Sequence, residues 1–308
     1  MGGGSLSISP VVASFIYAST AATTACVFTN PFDVAKTRLQ LQGELRSTSK
    51  RLYSGPIDCL SKTLKVEGLR GLQRGLATAM TREAVLNFFR IGMFEPVLKV
   101  FHTDDGPAPL YKKIAAGITT GSTAALISNP LDLIKTRTQA QASGANSSVG
   151  FQHRFSGVFG GFRHLLRTEG VLSLWKGVAP SVLRLALGSS GQLASYAHIK
   201  EHALAHGIQD GVFLHMGTSF ASVVFGVTAM NPVDVVRTRV YNQPAGADRL
   251  YSSAFDASIK ILKHEGVGAF FKGWGAHYMR GAPHVALIFI ILEQLKARQP
   301  LEKFFSVE

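Results

Sequence analysis

Three stretches of the chain carry no Asp, Glu, Lys or Arg: residues 1–32, 114–131 and 212–233. Each holds at least 18 residues, close to the roughly 20 a helix needs to cross a bilayer. They are rich in Ala, Gly, Ser and Thr rather than Leu, and small residues let helices approach closely in a membrane. Each ends at an Asn-Pro pair: Asn30-Pro31-Phe32, Asn129-Pro130-Leu131 and Asn231-Pro232-Val233. The pattern predicts a long helix running past each proline. A short amphipathic segment follows, Ile57–Val66 in the first instance, and then a second long helix of about 25 residues. That second helix is mixed in character: residues 75–100 carry Arg82, Glu83, Arg90, Glu95 and Lys99. Charges at such positions are costly in lipid and line a wet path.

The chain divides by three. The Asn-Pro sites open NPFDVAKTRLQ, NPLDLIKTRTQ and NPVDVVRTRVY, which share Pro-x-Asp-x-x-(Lys/Arg)-Thr-Arg. The prolines stand 99 and 102 residues apart. A second block follows each: Glu67-Gly68 before Arg74-Gly75, Glu169-Gly170 before Lys176-Gly177, and Glu265-Gly266 before Lys272-Gly273, with seven residues from acid to base every time. An aromatic-Ser pair precedes each Glu by 14 residues: Tyr53-Ser54, Phe155-Ser156 and Tyr251-Ser252. The expected units are residues 1–107, 108–208 and 209–308, together one all-α transmembrane domain of six spanning and three short helices.

Charge refines this picture. The 308 residues carry a formal net charge of +13. The stretches 36–74, 135–176 and 237–272 hold nine, six and six basic residues, 21 of the 32, which places them on one side of the membrane. Two cysteines without a CxxC pair exclude a disulfide framework and a zinc ribbon. Met1–Pro10 lacks a basic segment, so neither a cleaved secretory signal nor an Arg-rich transit peptide is expected. The charge-free windows argue against a basic nucleic-acid-binding repeat protein. No nucleotide loop, metal cluster or nucleophile elbow points to an enzyme, a cofactor or a metal.

Seven residues beyond the three basic-Gly glycines stand Arg82, Arg184 and Arg280. At 1.5 Å per residue they lie at one depth, about 10 Å along equivalent helices. Three guanidiniums there repel one another unless an anion or carboxylate stands between them, and Arg forks match carboxylates. The arrangement points to a site for a small di- or multivalent anion. Glu83, Asn87 and Arg90 share a helix stripe beside it; they read either as substrate contacts or as an internal polar network. Glu83 is also a candidate proton carrier, because a dianion entering a negative compartment is opposed by about 2.3 kcal/mol per charge per 100 mV.

Over nearly its whole length the chain resembles the mitochondrial carrier family, whose signature is the threefold Pro-x-(Asp/Glu)-x-x-(Lys/Arg) motif. The resemblance implies a six-helix, pseudo-threefold barrel in the mitochondrial inner membrane that transports a solute by alternating access. It implies a matrix gate of Asp33 with Lys135, Asp132 with Arg237 and Asp234 with Lys36, braced by Gln40 and Gln139, with Tyr241 in the third brace position. It implies a cytoplasmic gate reduced to two bridges, Lys200–Glu293 and Lys296–Glu95, since Leu98 and Ala197 replace the third pair. It also implies cardiolipin held at Gly75, Gly177 and Gly273 with Gly55 and Gly157, although Gln73 and Ser253 depart from that pattern, and a monomeric carrier.

In the family, nucleotide carriers have Gly before an aliphatic residue, amino-acid carriers Arg before an acid and keto-acid carriers Arg before a polar residue where this chain has Arg184-Leu185, which matches none of the three and departs furthest from the first two. The stretches 188–193, which includes Gln192, 241–243 and 280–284 are similar to the oxaloacetate/sulfate carriers of fungi and their animal relatives. An oxo-acid or dicarboxylate such as oxaloacetate or malonate, with sulfate as a further candidate, is the substrate class implied, by exchange or with a proton. Carriers of nucleotides, amino acids or leaked protons remain alternatives. Arg82 departs from the subgroup, and His284 reads as a packed helix-end residue.

Overall fold

The computed structural model describes residues 10–46, 51–102, 109–143, 149–153 and 155–298. They form ten α-helices and short 3-10 turns, with no strand among the described residues. The first repeat contributes α1 (Pro10–Leu41), α2 (Pro56–Leu72), α3 (Leu76–Gly92) and α4 (Phe94–Phe101); the second α5 (Leu110–Ala140), α6 (Gly157–Thr168) and α7 (Val178–Ala205); the third α8 (Val212–Asn242), α9 (Ala254–Glu265) and α10 (Trp274–Arg298). The long helices close a ring in chain order: α1 packs on α3, α3 on α5, α5 on α7, α7 on α8, α8 on α10, and α10 back on α1.

The three prolines sit inside α1, α5 and α8, as the sequence pattern predicts. Proline lacks an N–H and frees the carbonyl four residues earlier. In α1 that carbonyl belongs to Val27, and Gln73 Nε2 donates to it at 3.0 Å. The residue that breaks the aromatic pattern of the first repeat thus repairs the first helix.

The second helix of the first repeat is not continuous. It breaks at Met93, between α3 and α4. Pro96 explains the break: it cannot donate to Gly92 and sits in the first turn of α4, where an N–H would be unpaired anyway.

The interior is concentrated at one end of the barrel. The largest fully buried side chains are Arg38, Arg137 and Arg239, with Tyr53, Tyr241 and Tyr251. The outer faces are apolar and exposed instead: Phe28, Phe88, Ile118, Leu193, Phe213 and Phe225 all point outward. An apolar belt around backbone that satisfies itself within helices suits a bilayer. By length and composition, residues 171–205 and 213–242 contain helices apolar enough to cross one. α1 is free of charge up to Asp33, and the charges near the ends of α1, α5 and α8 meet one another inside the barrel.

Candidate functional site

The ends of α1, α5 and α8 converge, and six charges meet there. Lys135 Nζ donates to Asp33 Oδ2 at 2.7 Å, Arg237 Nη2 lies 2.7 Å from Asp132 Oδ2, and Lys36 Nζ lies 2.5 Å from Asp234 Oδ2. Each pair joins two different repeats, so the three pairs tie the three helices into a closed ring. The side chains are nearly enclosed, where desolvation offsets much of the Coulomb attraction. Such a ring is held by a small net energy.

The residues just beyond the ring behave differently in each repeat. Gln40 Nε2 donates to Asp234 Oδ2 at 3.0 Å and its Oε1 accepts from Thr238 at 2.7 Å, so it braces the Lys36–Asp234 pair directly. Gln139 instead accepts from Thr37 and donates to Asn30, both at 3.2 Å. Tyr241 lays its ring 4.6 Å from the Arg237 guanidinium, and its hydroxyl donates to Asn129 at 2.5 Å.

The three arginines of the middle depth reach the same aspartates through their free oxygens. Arg82 Nε donates to Asp132 Oδ1 at 3.0 Å; Arg280 Nε lies 3.3 Å from Asp33 Oδ1; Arg184 Nε lies 3.6 Å from Asp234 Oδ1. Every aspartate therefore faces one ring cation through Oδ2 and one middle-depth arginine through Oδ1. The carboxylates that keep three guanidiniums from repelling are the ring's own.

Around this core, Glu83 accepts from Arg82 Nη1 at 2.5 Å. Asn87 donates to the backbone carbonyl of Glu83 at 3.0 Å, a bond within its own helix. Leu185 is half-buried beside Arg184. Gln192 packs its stem at the seam of α7 and α8, against Gly226. The side chain of Arg90 lies outside the described residues.

At the opposite end the expected bridge between Lys200 and Glu293 is not formed. Lys200 pairs with Asp210 at 3.0 Å, and Glu293 is exposed. Asp210, ten residues further along the chain, meets both Lys200 and His215 Nε2, each at 3.0 Å. The side chains of Glu95 and Lys296 lie outside the described residues.

Two threefold sets were not assigned a role from sequence. Arg38 clamps Glu67 with two bonds of 2.6 and 3.0 Å and donates to Gln141 O at 2.7 Å. Arg239 clamps Glu265 at 2.5 and 2.9 Å and donates to Gln40 O at 3.1 Å. Arg137 pairs with Glu169 and donates to Tyr241 O at 2.8 Å. Each arginine binds its own repeat's Glu and the next repeat's backbone, locking the repeats edge to edge. The side-chain amides of Asn129 and Asn231, two of the second set, donate to Leu174 O and Phe270 O at 2.7 Å; Asn30 donates to Leu72 O at 3.3 Å. The signal was present, since Thr-Arg and Glu-Gly recur in all three copies.

The basic-Gly pairs stand immediately before α3, α7 and α10. Their cations are already engaged: Lys272 by Glu265 at 2.6 Å, Arg74 by Glu67 at 3.2 Å, and Lys176 by Glu169. Gly177 has φ 73°, and a Cβ there would lie 2.3 Å from the Tyr241 ring, so both backbone and packing require glycine. A cavity of about 560 Å³ lies where Ser54, Gly55 and Pro56 face Lys272, Gly273 and Trp274. Another of about 320 Å³ lies where Lys176, Gly177 and Val178 face Ser252, Ser253 and Ala254. Both lie at seams between repeats.

Comparison with known proteins agrees with this geometry. The family model described as "Mitochondrial carrier protein" matches residues 8–105, 106–207 and 209–301. The chain is 35% identical over 289 residues to the mitochondrial oxaloacetate transport protein of Saccharomyces cerevisiae, covering 91% of this chain and 88% of that one. It is 33% identical over 290 residues to the mitochondrial 2-oxoglutarate/malate carrier protein of Caenorhabditis elegans, covering 94% and 93%. It is 36% identical over 275 residues to mitochondrial uncoupling protein 1 of Arabidopsis thaliana, covering 88% of each. With three matched repeats, six spanning helices and these relatives, the chain belongs to the mitochondrial carrier family.

Proposed function

We propose that this carrier moves a small dicarboxylate or oxo-acid anion, of the oxaloacetate or malonate type, across the mitochondrial inner membrane by alternating access. The observation that carries the reading is the double engagement of Asp33, Asp132 and Asp234, each between a ring cation and a middle-depth arginine. A dianion entering from the open end offers Arg82, Arg184 and Arg280 better partners than shared carboxylates. Drawing the guanidiniums toward the substrate changes the balance at the ring, and a ring of small net energy responds. The described conformation is then the matrix-closed state. As the ring opens, Glu95, Lys200, Glu293 and Lys296 come together at the cytoplasmic end in two bridges.

The names of the yeast and nematode relatives support the oxo-acid class, and the Arg184-Leu185 pair separates the chain from nucleotide and amino-acid carriers. Glu83, hydrogen-bonded to Arg82, is the residue proposed to carry a proton with the anion. The free N–H groups where α2, α7, α9 and α10 begin are proposed to hold cardiolipin phosphates at Gly55, Gly177 and Gly273, with Gly75 and Gly157 forming the remaining site. Since the neighbouring cations are engaged, backbone amides supply most of that attraction. The uncoupling-protein relative supports a second reading, proton leak through the same pathway.

Reconstituted carrier is tested with oxaloacetate, malonate, malate, sulfate, ATP and glutamate at two pH values. Saturable uptake of the dicarboxylates is expected. Uptake of ATP or glutamate alone overturns the substrate class, and proton flux without anion uptake favours the leak reading.

A further inference from the structure

Cys26 on α1, Glu83 on α3 and His284 on α10 bring a sulfur, a carboxylate oxygen and a ring nitrogen within 4.8 Å of one another. All three are nearly enclosed, with 4%, 8% and 9% of their surface exposed. The transport reading gives Glu83 a proton and leaves Cys26 and His284 without a role. Sulfur, nitrogen and oxygen are the donor set that borderline-soft divalent ions take. A tetrahedral zinc ion has ligand bonds of about 2.0–2.3 Å, which place its ligand atoms roughly 3.4–3.7 Å apart. Modest side-chain rotations close the observed spacing to that value.

The surroundings also prepare the histidine. Thr29 Oγ1 donates its hydrogen to Ala25 O at 3.0 Å. Its oxygen therefore accepts from His284 Nδ1, 3.1 Å away. That bond favours the Nδ1–H tautomer, whose Nε2 lone pair is free to bind an ion, as an outer-shell partner does for a metal-bound histidine. Three cations stand nearby: Arg280 and Lys135 share Asp33, and Arg82 lies between Asp132 and Glu83, so an ion must draw Glu83 away from Arg82, which keeps Asp132 as its partner.

We propose that Cys26, Glu83 and His284 form a binding site for a thiophilic divalent ion of the zinc class. Binding releases the Cys26 thiol proton, so the ion's two charges meet one thiolate and one carboxylate. The three ligands come from both spanning helices of the first repeat and the last helix of the third. An ion there holds these helices in the described arrangement and blocks transport.

The test uses full-length carrier purified in detergent and titrated with Co²⁺, a spectroscopic stand-in for zinc. Expected are a thiolate-to-cobalt charge-transfer band in the near ultraviolet and the visible bands of a tetrahedral ion, saturating at one cobalt per chain. The chain has only two cysteines, so the sulfur can be assigned: the band survives Cys59→Ser and disappears in Cys26→Ser. His284→Gln, an independent variant, weakens cobalt binding by about 10–100-fold. Zn²⁺ displaces cobalt, raises the thermal unfolding midpoint of the wild type and slows its anion uptake. A wild-type protein without the band overturns the proposal, as does a band unchanged by Cys26→Ser or by His284→Gln. The cobalt spectrum reads ion binding without transport, so a failed substrate assignment leaves this result standing.

Discussion

Arg280 Nε stands 3.3 Å from Asp33 Oδ1, while Lys135 holds the other oxygen of the same carboxylate at 2.7 Å. One aspartate thus belongs to two structures, the ring that closes the barrel and the set of arginines that faces its interior. The two cations should be separable by experiment. Lys135→Ala leaves Arg280 as the partner of Asp33 and weakens the ring, lowering stability by roughly 1–3 kcal/mol. Arg280→Ala leaves the Lys135 pair intact, so it should cost less stability but remove the response to anion. Thermal unfolding with and without malonate distinguishes the two variants. Equal stability losses with equal anion responses would count against the division of labour.

The arginine clamps at the repeat edges should act on stability. Arg239 has no exposed side-chain surface, and Glu265 has 4%. Arg239→Gln leaves Glu265 with Lys272 and the Leu45 N–H, and strips a bond from Gln40 O. Breaking a buried pair from one side costs about 3–5 kcal/mol. The expected result is a lower unfolding midpoint with unchanged discrimination among anions. A variant of wild-type stability would contradict the assignment.

Glu83 is expected to link transport to pH. Its carboxylate receives Arg82 Nη1 at 2.5 Å beside the proposed anion site. Glu83→Gln keeps the shape and removes the titratable group. Dicarboxylate uptake measured from pH 6 to pH 8 should lose its pH dependence in the variant; a retained profile assigns the proton elsewhere.

Outside the spanning segments, Glu44 lies beside Glu265, Arg239, Lys272 and Tyr251, and burial pushes its carboxyl up to about 7. A carboxyl raised in the folded state holds its proton more tightly there than in the unfolded chain. Its effect is therefore a loss of stability as pH rises from about 4.5 through about 7. Glu44→Gln should unfold at a higher temperature than wild type at pH 8, with the gap narrowing toward pH 5. A gap independent of pH would refute this.

Much of this was legible in the sequence because the chain states each element three times. The Asn-Pro sites located the long helices, and counting from the basic-Gly glycines located Arg82, Arg184 and Arg280. What stayed hidden depends on proximity between segments distant in sequence. The Arg38–Glu67 clamp joins residues in two separate motifs, and repetition alone does not say that they touch. The sharing of Asp33 between Lys135 and Arg280 needs three helices in place. The break at Met93 was readable from Pro96, whereas the Lys200–Asp210 pair depends on how the segment between α7 and α8 folds back, which no motif states.

The central claim is that Arg82, Arg184 and Arg280 form an anion-transport site, and radiolabelled malonate uptake into proteoliposomes tests it most directly. Wild-type carrier is predicted to give saturable uptake. Arg184→Ala and Arg280→Ala, each confirmed as folded by its thermal unfolding profile, are predicted to lower uptake by about 10–100-fold, the effect of losing one charge-assisted contact. Wild-type uptake that persists in both variants would contradict the account.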